Sequence, residues 1–321
     1  MKRYLKYLLT GVLFCLTIAI IFWREKISYT EILALFKKIN PLYFLLLLIL
    51  QAITYIGDGW LSKVILETAG FKISLKNTVK IAITDTVATH IMPLMGGSVM
   101  AYYLYKKFNV SAAARLFLSG AFTFFLWTTY LFFFLTAILF FPHLPLLNFS
   151  TPKILFILII ILLTGLVVYF FQTKKGRKIL AFPLKMFKIK PERMEKFFQE
   201  FKTIFTFFHR QPSQIIKAFA AAFILYWGDV ITLYFSFMAF GYRPHLAIVI
   251  IGLTLSFILP LLTLIPETPG LVEASLVLVF TALGLPSHIV LLSAILFRLF
   301  SYWLPLFPGI ISFWQLKKIK V

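Results

Sequence analysis

The chain has 321 residues, of which 61% are hydrophobic and only 13% are charged. A soluble domain of this size could not bury that much apolar surface, and several runs reach the ~18–20 apolar residues of a membrane-spanning helix. The formal charge of +21 comes with no motif that reads DNA or RNA. We therefore predict no nucleic-acid partner, and assign the Lys and Arg residues to loops beside anionic lipids at the cytoplasmic face.

Ten apolar runs divide the chain. They fall at about residues 7–23, 41–61, 76–92, 98–105, 112–141, 153–171, 214–240, 246–265, 270–283 and 287–316. Six are long enough to be full spans. The first is interpreted as a retained helix, because its basic start is not followed by a small-x-small cleavage site. The other four are short or broken, and they form two adjacent pairs.

The basic residues predict a topology. The basic clusters lie at 63–80, 106–107, 174–217 and 317–320. They are all on one side of the membrane only if each short pair enters and leaves the membrane by the same side. We therefore predict an all-α polytopic membrane protein, a single integral membrane domain over 1–321 with six full spans plus two re-entrant hairpins. Both termini would be cytoplasmic and the location the cell membrane. Two hairpins of spanning helices would satisfy the same loop count, but 98–105 is too short to span.

Within the basic segment 172–213, residues 191–210 form an amphipathic pattern. Phenylalanines recur at helical spacing on one face and charges occupy the other. This pattern fits a helix lying on the inner leaflet and equally a cytoplasmic helix packed on the bundle.

The two halves of the membrane region, 41–141 and 214–316, match weakly but in the same order. The pairs are Gly57-Asp58 with Gly228-Asp229, Gly70-Phe71 with Gly241-Tyr242, Pro93 and Gly97 with Pro266 and Gly270, Ser111 with Ser287, and Trp127 with Trp303. Each half is predicted to contain a span, a hairpin and a second span. The positions of the basic residues predict that the two halves begin on opposite sides of the membrane. The pattern predicts an inverted repeat, as in many transporters.

The hairpin turns resemble those of a known family. The motifs are Pro93-x-x-Gly96-Gly97-Ser98-Val99 and Pro266-x-x-Pro269-Gly270-x-x-Glu273, followed by Arg298 and Tyr302-Trp303. Over roughly residues 5–315 the chain is similar to the transmembrane, flippase-like region of lysylphosphatidylglycerol synthases and its stand-alone relatives. Since no aminoacyl-transferase domain follows Val321, the resemblance implies lipid translocation and does not imply lysyl-lipid synthesis.

The predicted substrate-binding residues lie at these turns and on the last span. Glu273 and Arg298 would each cost roughly 2.5–3.5 kcal/mol at mid-membrane, so each needs a partner. They could pair with each other as a structural ion pair, or Arg298 could bind a lipid phosphate. The other candidates are Glu267 (which could instead cap a helix), Asp85, Gly96, Gly97, Pro269, Gly270 and Tyr302.

Four further polar positions fit ordinary structural roles. Asp58 and Asp229 fit an interfacial or packing role, and Arg115, at the start of a span, is expected to snorkel to the inner surface. His90 fits a hydrogen-bonded packing residue.

Catalytic patterns are missing from the sequence. There is no G-x-S-x-G, H-E-x-x-H, Walker A or Rossmann glycine motif, and Cys15 is the single cysteine. We therefore predict no catalytic residues, metal or cofactor. The leading hypothesis is a non-enzymatic transporter that translocates an anionic or glycosylated lipid. The alternatives are a membrane-embedded lipid-modifying enzyme and a non-transporting membrane scaffold.

Overall fold

The structure is a computed structural model that describes Lys37 and residues 39–91, 97–140, 191–262 and 271–318. Every regular element in these ranges is helical. The helices are α1 (Pro41–Thr68), α2 (Leu75–Ile91), α3 (Ser98–Phe108), α4 (Ala112–Phe140), α5 (Pro191–His209), α6 (Pro212–Ala239), α7 (Leu246–Leu262), α8 (Leu271–Ala282), α9 (Ser287–Arg298) and α10 (Leu306–Lys317), with a π-helical turn (Leu299–Trp303) between α9 and α10. The all-α prediction is confirmed for these residues.

Four helices in the described ranges are long and apolar enough to cross a membrane. They are α1, α4, α6 and the continuous rod Ser287–Lys317, with 28, 29, 28 and 31 residues. Each coincides with a predicted span. The remaining two predicted spans, 7–23 and 153–171, lie outside the described residues.

The short pairs α2–α3 and α7–α8 contain helices that cannot cross a bilayer alone. Helix α3 has 11 residues and α8 has 12, which gives lengths of only about 16–18 Å against a hydrocarbon core of about 30 Å. Both pairs match the positions of the predicted hairpins. Their turns, at 92–96 and 263–270, lie outside the described residues.

Helices α1 and α6 cross closely, and glycine makes the crossing possible. A Cβ atom on Gly228 would lie 2.0 Å from Oγ1 of Thr54, and one on Gly57 would lie 3.0 Å from the backbone nitrogen of Leu225. These two glycines are matched positions of the two sequence halves. The crossing sets the centre of the bundle.

The two helices also end alike. Gly70 and Gly241, another matched pair, adopt the left-handed conformation with φ values of 88° and 77°. The next amide donates to the carbonyl five residues earlier, from Phe71 to Leu66 and from Tyr242 to Phe237. This is the Schellman closure, which glycine favours because it has no Cβ.

Each short pair packs against the last span of the other half. Helix α2 contacts α10, where a Cβ on Gly309 would meet Val87 at 2.2 Å. Helix α7 contacts α4, where the rings of Phe257 and Tyr130 lie 5.9 Å apart. The two halves therefore interlock.

Helix α5 packs on the bundle with its apolar face. Ile204 and Phe208 are buried, and the ring of Phe208 lies 5.5 Å from that of Phe117 on α4. The apolar face of the amphipathic pattern therefore packs on the bundle at these two residues. Phe207 on the same helix is 51% exposed.

The last span is interrupted beside the centre of the bundle. Pro305 cannot donate to the carbonyl of Ser301, four residues earlier. The hydroxyl of Tyr55 on α1 donates to that carbonyl instead, at 3.2 Å. The amide of Leu304 donates to Leu299, five residues back, at 2.8 Å. The proline thus explains why this rod contains a π turn, an element that often marks functional positions.

Candidate functional site

A cavity of about 930 Å³ lies between the two halves. Its walls come from α1, α2, α3, α4, α6 and the α9–π segment, with one residue each from α7 and α8. The charged side chains that line it are Asp58, Asp85, Arg115, Asp229 and Arg298. A cavity among apolar helices that is lined by a few charged side chains is a usual setting for a ligand site in a membrane protein.

Glu273 and Arg298 form a buried ion pair. Nε of Arg298 donates to Oε1 of Glu273 at 2.8 Å, and the two residues are only 6% and 8% exposed respectively. The structure therefore brings together the two charges that the sequence singled out. Helix α8 begins at Leu271, so the acid lies in its first turn, and Arg298 is the last residue of α9.

The guanidinium of Arg298 retains unused donor capacity. Its carbon lies 4.3 Å from the ring centroid of Tyr302, one turn later in the π segment. Its Nη2 atom is buried and has no hydrogen-bond partner within the described part of the chain. Because an unsatisfied buried donor costs free energy, an anion that reached this nitrogen would gain a strong hydrogen bond.

Asp85 joins the two helices of the first short pair. Its Oδ2 accepts from the amide of Gly97 at 3.0 Å and its Oδ1 from that of Met100 at 2.8 Å. A carboxylate at the N-terminus of α3 satisfies orphan amides and favourably meets the helix dipole. Both oxygens are thus engaged in holding α3 to α2, although the residue also lines the cavity. Gly97 is the N-cap of α3, with φ of 75°.

Asp58 and Asp229 line the cavity as well. Each follows a crossing glycine and lies about ten residues before the end of its helix. The glycines thus make the helix crossing, and the aspartates that follow them line the cavity. The matched Gly-Asp dipeptides of the two halves were the sequence signal that could have placed them there.

Arg115 also belongs to the cavity wall. Its Nη1 donates to the carbonyl of Ala101 on α3 at 3.1 Å, and its guanidinium carbon lies 5.1 Å from the ring of Tyr105. The side chain therefore bridges α4 and α3 beside the cavity, in addition to its position near the start of a span.

Several predicted site residues lie outside the described residues, namely Gly96, Glu267, Pro269 and Gly270. Within the described ranges, no group of three or more His, Cys, Asp or Glu side chains could hold a metal ion. The charged and polar side chains that line the cavity can bind a charged ligand and donate hydrogen bonds to it.

Comparison with known proteins agrees with this architecture. Residues 7–309 match the family model of the lysylphosphatidylglycerol synthase TM region. Over 123 residues, 38% of this chain, the sequence is 26% identical to a UPF0104 membrane protein of Pyrococcus horikoshii, and the match spans 37% of that relative. Because the family model covers nearly the whole membrane region, this chain belongs to the lysylphosphatidylglycerol synthase transmembrane-region family.

Proposed function

We propose that this protein translocates a lipid with an anionic or glycosylated headgroup across the cell membrane. One observation carries the proposal: a charge-lined cavity of about 930 Å³ sits among spanning helices and contains a buried arginine edge without a hydrogen-bond partner. A headgroup bound there would be shielded from the hydrocarbon of the bilayer, while the tails of the lipid stay in that hydrocarbon.

The proposed architecture has six full spans plus two re-entrant hairpins, arranged as an inverted repeat with both termini in the cytoplasm. It is supported by the interlocked packing, in which α2 contacts α10 and α7 contacts α4. The matched crossing of Gly57 and Gly228 also supports it. In transporters built this way, one repeat rocks against the other around a central site.

In the proposed mechanism, Arg298 binds the lipid phosphate with its outer nitrogens while Nε keeps its bond to Glu273. The acid holds the guanidinium plane in position, and the ring of Tyr302 supports its other side. Rocking of the two halves would then expose the occupied cavity alternately to the two leaflets. The substrate is a membrane lipid, and no step requires a cofactor.

The test is native mass spectrometry of the lipids retained by purified protein. We would compare wild type with Glu273→Gln and Arg298→Ala, and use Glu67→Gln as the matched control because Glu67 pairs with Lys63 near the surface. One lipid class retained by wild type and the control, and lost from both site variants, is the expected result. Equal retention of bulk lipid by all four proteins would contradict the proposal and favour a scaffold role.

Transport itself is measured with that lipid in proteoliposomes, as the fraction of a fluorescent analogue that becomes accessible from outside. Translocation above that of protein-free vesicles is expected for wild type and for Glu67→Gln. A chemically altered lipid in the same vesicles would instead identify a lipid-modifying enzyme.

A further inference from the structure

The cavity wall on α4 is exposed along one stripe. Ala112, Leu116, Ser119 and Thr123 recur at helical spacing and line the cavity, yet all four are exposed among the described residues. These residues mark a stretch where the cavity is open at the surface of the described helices. Because α4 is long and apolar enough to cross the membrane, an opening along its side would face the hydrocarbon of the bilayer.

The opposite wall of this opening is α3. Gly97, Ala101 and Leu104 line the cavity from that helix, again at helical spacing. The two helices share few contacts along their lengths. Arg115 bridges them, through the bond from its Nη1 to the carbonyl of Ala101 and the contact of its guanidinium with the ring of Tyr105. We call the space between these two rows of residues the α3–α4 groove.

The groove has the length of a lipid-tail site. From Ala112 to Thr123 it runs about 17 Å, close to the ~15 Å of hydrocarbon in a single leaflet. The hydroxyl of Thr123 donates to the carbonyl of Ser119 at 2.9 Å. This polar group is satisfied within its own helix, so it can face an acyl chain at little cost.

Charge marks one end of the groove. Arg115 lies in the first turn of α4, and Lys106 and Lys107 lie in the last turn of α3. A phospholipid whose tail fills the groove would place its headgroup at the level of these cations, where a phosphate can bind the guanidinium.

We propose that the α3–α4 groove is the lateral entrance of the cavity and holds an acyl chain of a phospholipid with an anionic headgroup at Arg115. This inference rests on the proposed function, since it supplies the route by which a lipid reaches the cavity. Arg115 also ties α3 to α4, so a phosphate that binds it competes with the Ala101 carbonyl and loosens the groove.

The experiment uses the full chain in phosphatidylcholine nanodiscs containing phosphatidic acid with a photoreactive diazirine in its acyl chain. Phosphatidic acid presents the phosphate with no further headgroup chemistry. We expect the label on the 112–123 segment of α4, with at least a fivefold lower yield in Ser119→Trp and Thr123→Trp, whose indoles would fill the groove. Gly120→Trp is the matched control, because Gly120 is exposed, does not line the cavity and has open space around a Cβ. Its yield should equal that of wild type.

A second comparison tests the arginine. Replacing phosphatidic acid by a phosphatidylcholine probe should lower the yield in wild type, and Arg115→Gln should abolish that difference. Monodisperse elution and an unchanged melting temperature of each variant establish that it is folded. Uniform labelling of the lipid-facing helices, or an equal loss in Gly120→Trp, would overturn the inference.

The two proposals fail in different ways. Translocation by Ser119→Trp at the wild-type rate would refute the groove as the entrance and leave the proposed function standing. Specific labelling of α4 in a wild-type protein that moves no lipid would refute the function and leave the groove as a lipid site.

Discussion

Removing either partner of the Glu273–Arg298 pair should destabilise the protein, whereas removing both should not. The pair is almost fully buried and is joined at 2.8 Å, and breaking such a pair costs about 3–5 kcal/mol because a buried charge loses its counterion. Glu273→Gln leaves a buried guanidinium, and Arg298→Met leaves a buried carboxylate.

The single variants should therefore each be about 3–5 kcal/mol less stable than wild type. The double variant Glu273→Gln/Arg298→Met removes both charges, so it should lie within about 1 kcal/mol of wild type.

The assay is equilibrium unfolding by SDS in mixed micelles, followed by tryptophan fluorescence. A double variant as unstable as the sum of the single variants would refute the reasoning. A stable double variant that no longer retains the lipid class bound by wild type would separate the role of the pair in folding from its role at the site.

Three other changes have defined consequences. Gly228→Ala should cost about 1–3 kcal/mol in unfolding free energy because its methyl group would overlap Thr54, and adding Thr54→Ala should restore most of the loss. Tyr55→Phe should cost about 1 kcal/mol, because the Ser301 carbonyl loses its donor. Asp85→Asn should cost about 1.5–3 kcal/mol and speed hydrogen exchange at the start of α3, since an amide accepts only one of the two bonds.

Each of these has a control on the same protein. Gly120→Ala adds a methyl group in open space, Tyr102→Phe alters a tyrosine that is 57% exposed, and Glu67→Gln neutralises an acid near the surface. Tyr102→Phe and Glu67→Gln should leave stability within about 0.5 kcal/mol of wild type, and Gly120→Ala should be at least as stable as wild type because alanine favours a helix more than glycine does. A control as costly as its matched variant would contradict the structural reason given for that variant.

The spans and short helices could be predicted because their signals are local. An apolar run of sufficient length must be a helix in lipid, since backbone groups there have no other partners. Proline and glycine at 93–97 and 266–270 interrupt such runs. The ion pair was also within reach, because two charges in apolar helices each need a partner and the choice within this region is small.

The capping role of Asp85 and the bridge from Arg115 to Ala101 could not be predicted in the same way. Both depend on how tightly the chain turns between helices, because residues 14 or 15 positions apart meet only if the turn brings their helices together. The hydroxyl of Tyr55 reaches a carbonyl 246 residues away. That carbonyl is free to accept because Pro305, on another helix, has no amide hydrogen to donate to it. The residues around Tyr55 contain no signal of this.

The π turn at Leu299–Trp303 has a consequence for mutational scanning of the last span. A π turn contains one more residue than an α turn, and each residue rotates a helix by about 100°. Sensitivity to substitution from Ser287 to Lys317 should therefore follow two sinusoids out of phase by about 100°, with the discontinuity at 299–303. Deleting one residue in this turn would bring them into phase, but would swing Arg298 by the same angle relative to α10 and away from Glu273.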